Sequence, residues 1–403
     1  MTITKYSKLD LNPLKIQQDQ KNFVVEDIHS GDFFEMPAVC IDAINMINEG
    51  LPLYHIEEVL QQNYPNERVE IVSFVEDLLE LGLVSSIDGE TIFRRTMSDK
   101  LNGGLGWISP KVGRTFFNRY SSFLYFLIIL SSILLFVFKP GLFPAYEDIF
   151  LFDLMISNLV VFLALSFFLV VVHEFGHVLA VRAEGLPTKI ELGHRLFFIV
   201  LETDMSRVWS LKPEKRYRLY LAGMYFDAVV LFLGLMVQIL FVEHYYVVGI
   251  AKMVVFSTFI RVIYQFCVYM KTDMYYVLEN WSGCYNLMES GQKLLKQWFP
   301  FLPIGEKSSS FDGEDKFIRP YALFYLIGVL LTIVITVFYN LPLIIHAGIL
   351  VLPGLIEPAS SIHFWDATVF LLQFVLMFGL LAYSWSKKYL EKEKATDIGM
   401  PLK

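Results

Sequence analysis

The chain is poor in what a water-soluble protein of 403 residues is built from. Only 18% of its residues are charged, against about 25% in average globular chains. By contrast 55% are hydrophobic and 16% aromatic, and the mean hydropathy is +0.49. Much of the chain must therefore face something other than water. It also lacks a basic excess. The net charge of −8 argues against a nucleic-acid partner, because nothing is left over to neutralise phosphates. Cysteine is scarce as well. Cys40, Cys267 and Cys284 show no CxxC spacing and make an odd total, which excludes a full disulfide framework and reads as isolated reduced thiols. A cleavable signal peptide is not expected. The start is polar and the first long apolar run begins near Phe123, so the first membrane segment is expected to target the protein and leave the preceding region in the cytoplasm.

What is present divides the chain. Residues 1–22 read as a polar tail and 23–96 as a small soluble domain. Residues 97–118, with Gly103, Gly104 and Gly106, read as a linker, 119–388 as a membrane domain and 389–403 as a cytoplasmic tail. In the small domain a strand-like Phe23-Val24-Val25 precedes a Ser30-Gly31-Asp32 turn. Helices are then expected over 38–48, 53–62 and 69–80, the last with Val72, Val75, Leu78 and Leu79 at helical spacing. Gly82 suits a left-handed C-cap. Three short helices and a β-like tail suggest a winged-helix arrangement. The fold class is thus mainly α: a polytopic bundle of about six membrane helices with a small winged-helix-like cytoplasmic domain.

The six spans are expected at 120–138, 154–182, 217–242, 247–270, 320–340 and 365–387, each near the ~20 residues that cross a bilayer core. Lys and Arg cluster before the first span, between the second and third, between the fourth and fifth, and after the sixth. The alternate loops hold almost none, so both termini are expected on the cytoplasmic side of a cell membrane.

The second span carries His173-Glu174-Phe175-Gly176-His177. Histidines at i and i+4 share one helix face, so both imidazoles can ligate one Zn²⁺ while Glu174 serves as general base. Ionisable groups inside a membrane helix are costly and read first as functional. A catalytic zinc needs a third protein ligand and an open position. His194, in a polar loop, is one candidate. Asp273, expected at the cytoplasmic end of the fourth span and at the depth of the two histidines, is the better one. Asp227 could orient a ligand or could be a satisfied polar group near the membrane surface. Arg261, mid-helix, should face the bundle interior and pair with a carboxylate. Tyr275 and Tyr276 read as interfacial anchors. The run between Gly185 and Lys212 reads as a hairpin dipping into the interface, and 280–316 as an amphipathic surface loop.

HEFGH in a membrane helix, with an Asp two helices later, resembles the site-2 protease family of intramembrane metalloproteases. Within it, the chain is most similar to bacterial peptide zinc metalloproteases of peptide-antibiotic systems. Lys271-Thr272-Asp273 through Asn280, Thr203 to Ser206 with Trp209, and Ala222-Gly223 carry that likeness, over roughly residues 160 to 285. Met274 stands where that group has glycine, and Met224 and Asp227 where site-2 proteases have Pro and Asn. The resemblance implies a zinc-dependent endopeptidase acting on a small peptide or membrane segment during maturation of a ribosomally made peptide. Gly223 would then lie near the substrate, and the hairpin would offer an edge to an extended substrate. The segment around Asn48-Glu49-Gly50 and Leu78 to Val84 resembles PqqD-like domains, which implies a leader-peptide partner; a docking domain without a peptide ligand is the alternative. Two other functions stand against proteolysis. One is a non-catalytic export or immunity component that keeps the zinc site. The other is a membrane di-iron oxygenase, for which the eight histidines form too few clusters.

Overall fold

The computed structural model describes residues 3–20, 22–92, 104–195, 198–284, 287–299 and 315–397. The N-terminal domain begins earlier than expected. Residues 9–19, placed in a polar tail, form β1 (Leu9–Leu11) and β2 (Leu14–Asp19). Leu9, Leu11, Leu14 and Ile16 alternate with polar residues, which is the period of a half-buried strand. The run is too short and too polar to stand out by composition. β2 pairs antiparallel with β3 (Asn22–Asp27), and β3 with β4 (Phe33–Met36). The expected helices follow as α1 (Ala38–Asn48), α2 (Leu53–Asn63) and α3 (Ile71–Glu80). Gly82, at φ +76°, ends α3 in the left-handed conformation, and Leu83 N–H reaches back to Leu78 O at 2.9 Å. β5 (Val84–Ile87) then returns to pair with β1 and with β6 (Glu90–Thr91). Ile44, Leu53, Ile56, Leu60, Ile71 and Leu78 are fully buried between the helices and the two sheets.

The expected linker is largely a packed element. Residues 93–103 lie outside the described residues, but α4 (Pro110–Phe116) lies against α6 (Met155–Ala183). A Cβ at Gly113 would come within 2.4 Å of Leu179 O, so glycine is what lets the two backbones approach. Arg182 bridges from α6 to the same segment, donating to Ile108 O at 2.8 Å and Gly106 O at 3.1 Å. The glycines that read as flexibility serve close packing here.

Five described helical stretches are long and apolar enough to cross a membrane: Arg119–Phe138, Met155–Ala183, Pro213–Leu240, Tyr245–Gln265 and Lys316–Ile356. With the outward Phe123, Leu124, Phe126, Phe167 and Phe168 they point to a membrane protein in a lipid bilayer. They comprise α5 (Arg119–Phe138), α6, α7 (Pro213–Tyr220) with α8 (Ala222–Leu240), and α9 (Tyr245–Gln265). Beyond α10 (Asp273–Ser282) and α11 (Leu287–Trp298) come α12 (Asp315–Ile335) and α13 (Leu341–Val351), joined by a π-helical stretch at Thr336–Asn340. The fifth expected span therefore continues well past residue 340. Of α14 (Ile362–Asp397), the sixth, only Ile362–Leu376 counts among the shorter apolar helices. Part of the expected 280–316 loop is the helix α11, and 300–314 lie outside the described residues. Between α6 and α7 the expected hairpin is present as β7 (Ile190–Arg195) and β8 (Phe198–Thr203).

Small residues set the approach of the membrane helices, as where burial of apolar surface gives no preference for one partner over lipid. Gly234 of α8 sits against Val255 of α9, and Gly176 of α6 against Ala222 O and Phe226 of α8. The open N-terminus of α6 is capped from α14. Asp366 accepts from Met155 N–H at 2.8 Å and Ile156 N–H at 2.7 Å, satisfying donors that lipid cannot.

Candidate metal centre

His173 and His177 lie one helical turn apart in α6, buried, with Nε2 atoms 3.3 Å from each other. Asp273 Oδ2 is 3.1 Å from His173 Nε2 and 3.2 Å from His177 Nε2. These atoms could together hold one metal ion. The other ring nitrogens decide the chemistry. His177 Nδ1 lies 2.8 Å from Leu219 O, and a carbonyl only accepts, so the proton sits on Nδ1. His173 Nδ1 likewise faces a carboxylate oxygen, Asp227 Oδ2, at 2.8 Å. As neutral rings with that proton on Nδ1, both histidines would present Nε2 lone pairs beside the Asp273 carboxylate, three acceptors together. Such a set fits a cation, and the occupied Nδ1 atoms are the outer hydrogen bonds that orient metal-binding histidines.

Asp273 is not at the end of the fourth span, as expected, but opens the next helix. α9 stops at Gln265, Lys271 adopts φ +53°, and Asp273 is the first residue of α10. Gln265 ties the turn. Its side-chain oxygen accepts from Asp273 N–H at 3.0 Å and its carbonyl from the Thr272 hydroxyl at 2.5 Å. His194, the other candidate, falls on β7, and its side chain lies outside the described residues.

Gly223 opens α8 against the ligands. A Cβ there would meet His173 Cε1 and Nε2 at 2.4 Å and His177 Nε2 at 2.6 Å, so only glycine leaves the centre its space. Of the two readings of Asp227, the geometry favours the orienting one. It is fully buried on α8 and bridges His173 to Arg261, whose Nη2 is 2.7 Å from Asp227 Oδ1. Arg261 turns inward, as expected, and its charge balances the carboxylate that fixes the imidazole.

Glu174 faces the hairpin. Its Oε2 accepts from Thr203 N–H at 2.9 Å and from the Thr203 hydroxyl at 2.8 Å. Glu174, His177 and Asp273 share the wall of a cavity of about 290 Å³ with Trp209, Tyr220 and Tyr276. Tyr275 is not an interfacial anchor, because its side chain is buried. Tyr276 stacks on Tyr220 with ring centroids 5.7 Å apart. Tyr275 is buried, with its hydroxyl 2.8 Å from Glu279 Oε1. The roles of Thr203, Gln265 and the Leu219 carbonyl carry no sequence signal, because each depends on where a turn brings a backbone group.

Comparisons with protein-family models, with curated proteins and with solved structures match nothing to this chain.

Proposed function

We propose that the chain is an intramembrane zinc-dependent endopeptidase that cuts a small peptide or membrane segment, in the maturation of a ribosomally made peptide. The observation that carries this reading is the convergence of two Nε2 atoms and one carboxylate oxygen beside a cavity whose wall includes Glu174. His173, His177 and Asp273 would hold the ion. A zinc ion bound there supplies a Lewis acid and an acidified water. Glu174 would take the proton of the attacking water and deliver it to the leaving amine. Thr203, with two donors to one Glu174 oxygen, holds that carboxylate at the cavity wall. Asp227 and Leu219 O keep both imidazoles in the tautomer that presents Nε2. β8 brings an extended chain edge close to Glu174, which supports strand-like presentation of a peptide. The likeness to site-2 proteases supports the same reading. It further supports a multi-pass chain in a bacterial cell membrane with both termini cytoplasmic, and an N-terminal domain of the PqqD-like kind that receives a leader peptide.

The test uses purified full-length chain in detergent micelles and a fluorogenic peptide library. Wild type should carry about one zinc per chain and cleave a subset of the library. Glu174→Gln should keep the metal and lose cleavage. If Glu174→Gln cleaves at the wild-type rate, the peptidase reading fails.

A further inference from the structure

The two domains meet through a charge pair with no access to solvent. Arg216 Nη1 on α7 lies 2.7 Å from Asp19 Oδ2 at the end of β2, and both side chains are 0% exposed. The guanidinium has further partners on the membrane side. Nε donates to Leu211 O at 2.9 Å and Nη2 to Trp209 O at 3.1 Å. The guanidinium carbon lies 4.8 Å from the Trp209 ring centroid. Nη1 approaches Asn280 Oδ1 at 3.5 Å, and Asn280 Nδ2 donates to Pro213 O at 3.0 Å. Gln20, next to Asp19, donates to Asn280 O at 2.5 Å.

Arg216, Asn280 and Trp209 each lead to the metal centre. Arg216 and Leu219 are one turn apart on α7, and the Leu219 carbonyl orients His177. Asn280 and Asp273 are two turns apart on one face of α10. Trp209 is part of the cavity wall. One side chain thus joins the N-terminal domain to the helix that orients one ligand, the helix that carries another, and the wall between them.

Resting on the metal-site reading above, we propose that Arg216 is a positioning residue through which docking of the N-terminal domain holds the metal ligands in register. A guanidinium stays charged at any physiological pH. Without Asp19 it would be a buried cation short of its anion, which is strongly unfavourable, and α7 and α10 would have to shift to hydrate it. The shift would move Leu219 O and Asp273 together. A peptide that displaced β2 from α7 would loosen the metal centre through the same contact, so the N-terminal domain is a regulator of the site as well as its neighbour.

The experiment measures metal affinity by chelator competition, and the visible absorption bands of the Co²⁺-loaded chain, for full-length protein in detergent. Asp19→Ala should weaken binding about tenfold or more, the scale on which outer partners of metal ligands act, and shift the Co²⁺ bands. The double exchange Asp19→Arg with Arg216→Asp should recover a large part of both. Should Asp19→Ala fail to fold, Arg216→Lys decides alone: it keeps the charge, loses the fork, and should shift the Co²⁺ bands in a folded chain. Affinity within twofold of wild type and unmoved Co²⁺ bands in Asp19→Ala, or in a folded Arg216→Lys, would overturn the proposal. A wild-type chain that binds no metal would instead overturn the metal-site reading beneath it.

Discussion

The N-terminal domain and the candidate metal end of the membrane domain both close over apolar cores, but the second adds buried polar ties around its site. The first closes over a dry core of Ile44, Leu53, Ile56, Leu60, Ile71 and Leu78, where removal of apolar surface from water is the dominant favourable term. The second uses Arg182 on three carbonyls, the Arg261–Asp227–His173 chain, and glycines at helix contacts. Lipid tails are as apolar as leucine, so an apolar face alone does not select its neighbour in a bilayer. Close approach and paired polar groups do. In one region loss of a contact is a loss of stability, whereas in the other the same contacts also position the candidate metal ligands.

That contrast can be broken most forcefully at the centre itself. His173→Ala or Asp273→Ala should take metal content from about one ion per chain to near zero by elemental analysis, with the helical circular dichroism retained. Gly223→Ala comes next. Its methyl group would press on both imidazoles, and chelator competition should show metal affinity falling by about tenfold or more. Arg261→Ala should weaken affinity by about tenfold, since Asp227 would lose the cation that balances it.

Smaller effects sharpen the contrast. Glu279 of α10 is pushed up to about 8 by burial, against the lowering effects of the Tyr275 hydroxyl and Lys271 and with the nearby charges of Glu289 and Glu35. The folded chain therefore binds a proton that the unfolded chain has already released. Stability should fall as pH rises from the ordinary Glu range through about 8, by at most about 1.4 kcal/mol per unit. Denaturation followed across that window should show the slope, and Glu279→Gln should flatten it. Smallest of all is Gly82→Ala in the N-terminal domain. At φ +76°, and with no atom of the described residues within 4 Å of an added Cβ, it should cost about 1–2 kcal/mol of stability through backbone strain, read by thermal unfolding, and leave metal affinity unchanged.

Much of this was legible because helices advertise themselves. Apolar runs announced the first four spans to within a few residues, and i, i+4 spacing put His173 and His177 on one face. The tail and linker misread for a shared reason: short strands and glycine-bearing segments take their structure from distant partners, β1 from β5 and Gly113 from Leu179. Tyr275 differs from its expected place because an aromatic near a span end looks the same from the sequence whether it meets lipid headgroups or a buried carboxylate.

By itself the sequence determined a membrane-embedded helical chain, a pair of histidines on one helix face, a glutamate between them and Asp273 as a third ligand to look for. Those follow from local periodicity and from the cost of ionisable groups in lipid. Only the tertiary structure decided that Asp273 opens a new helix, that Asp227 and Leu219 O take both Nδ1 atoms while Nε2 faces it, and that Arg216 ties the N-terminal domain to the helices around them. Such choices depend on directions of lone pairs and N–H bonds across residues far apart in the chain, and no local pattern encodes them.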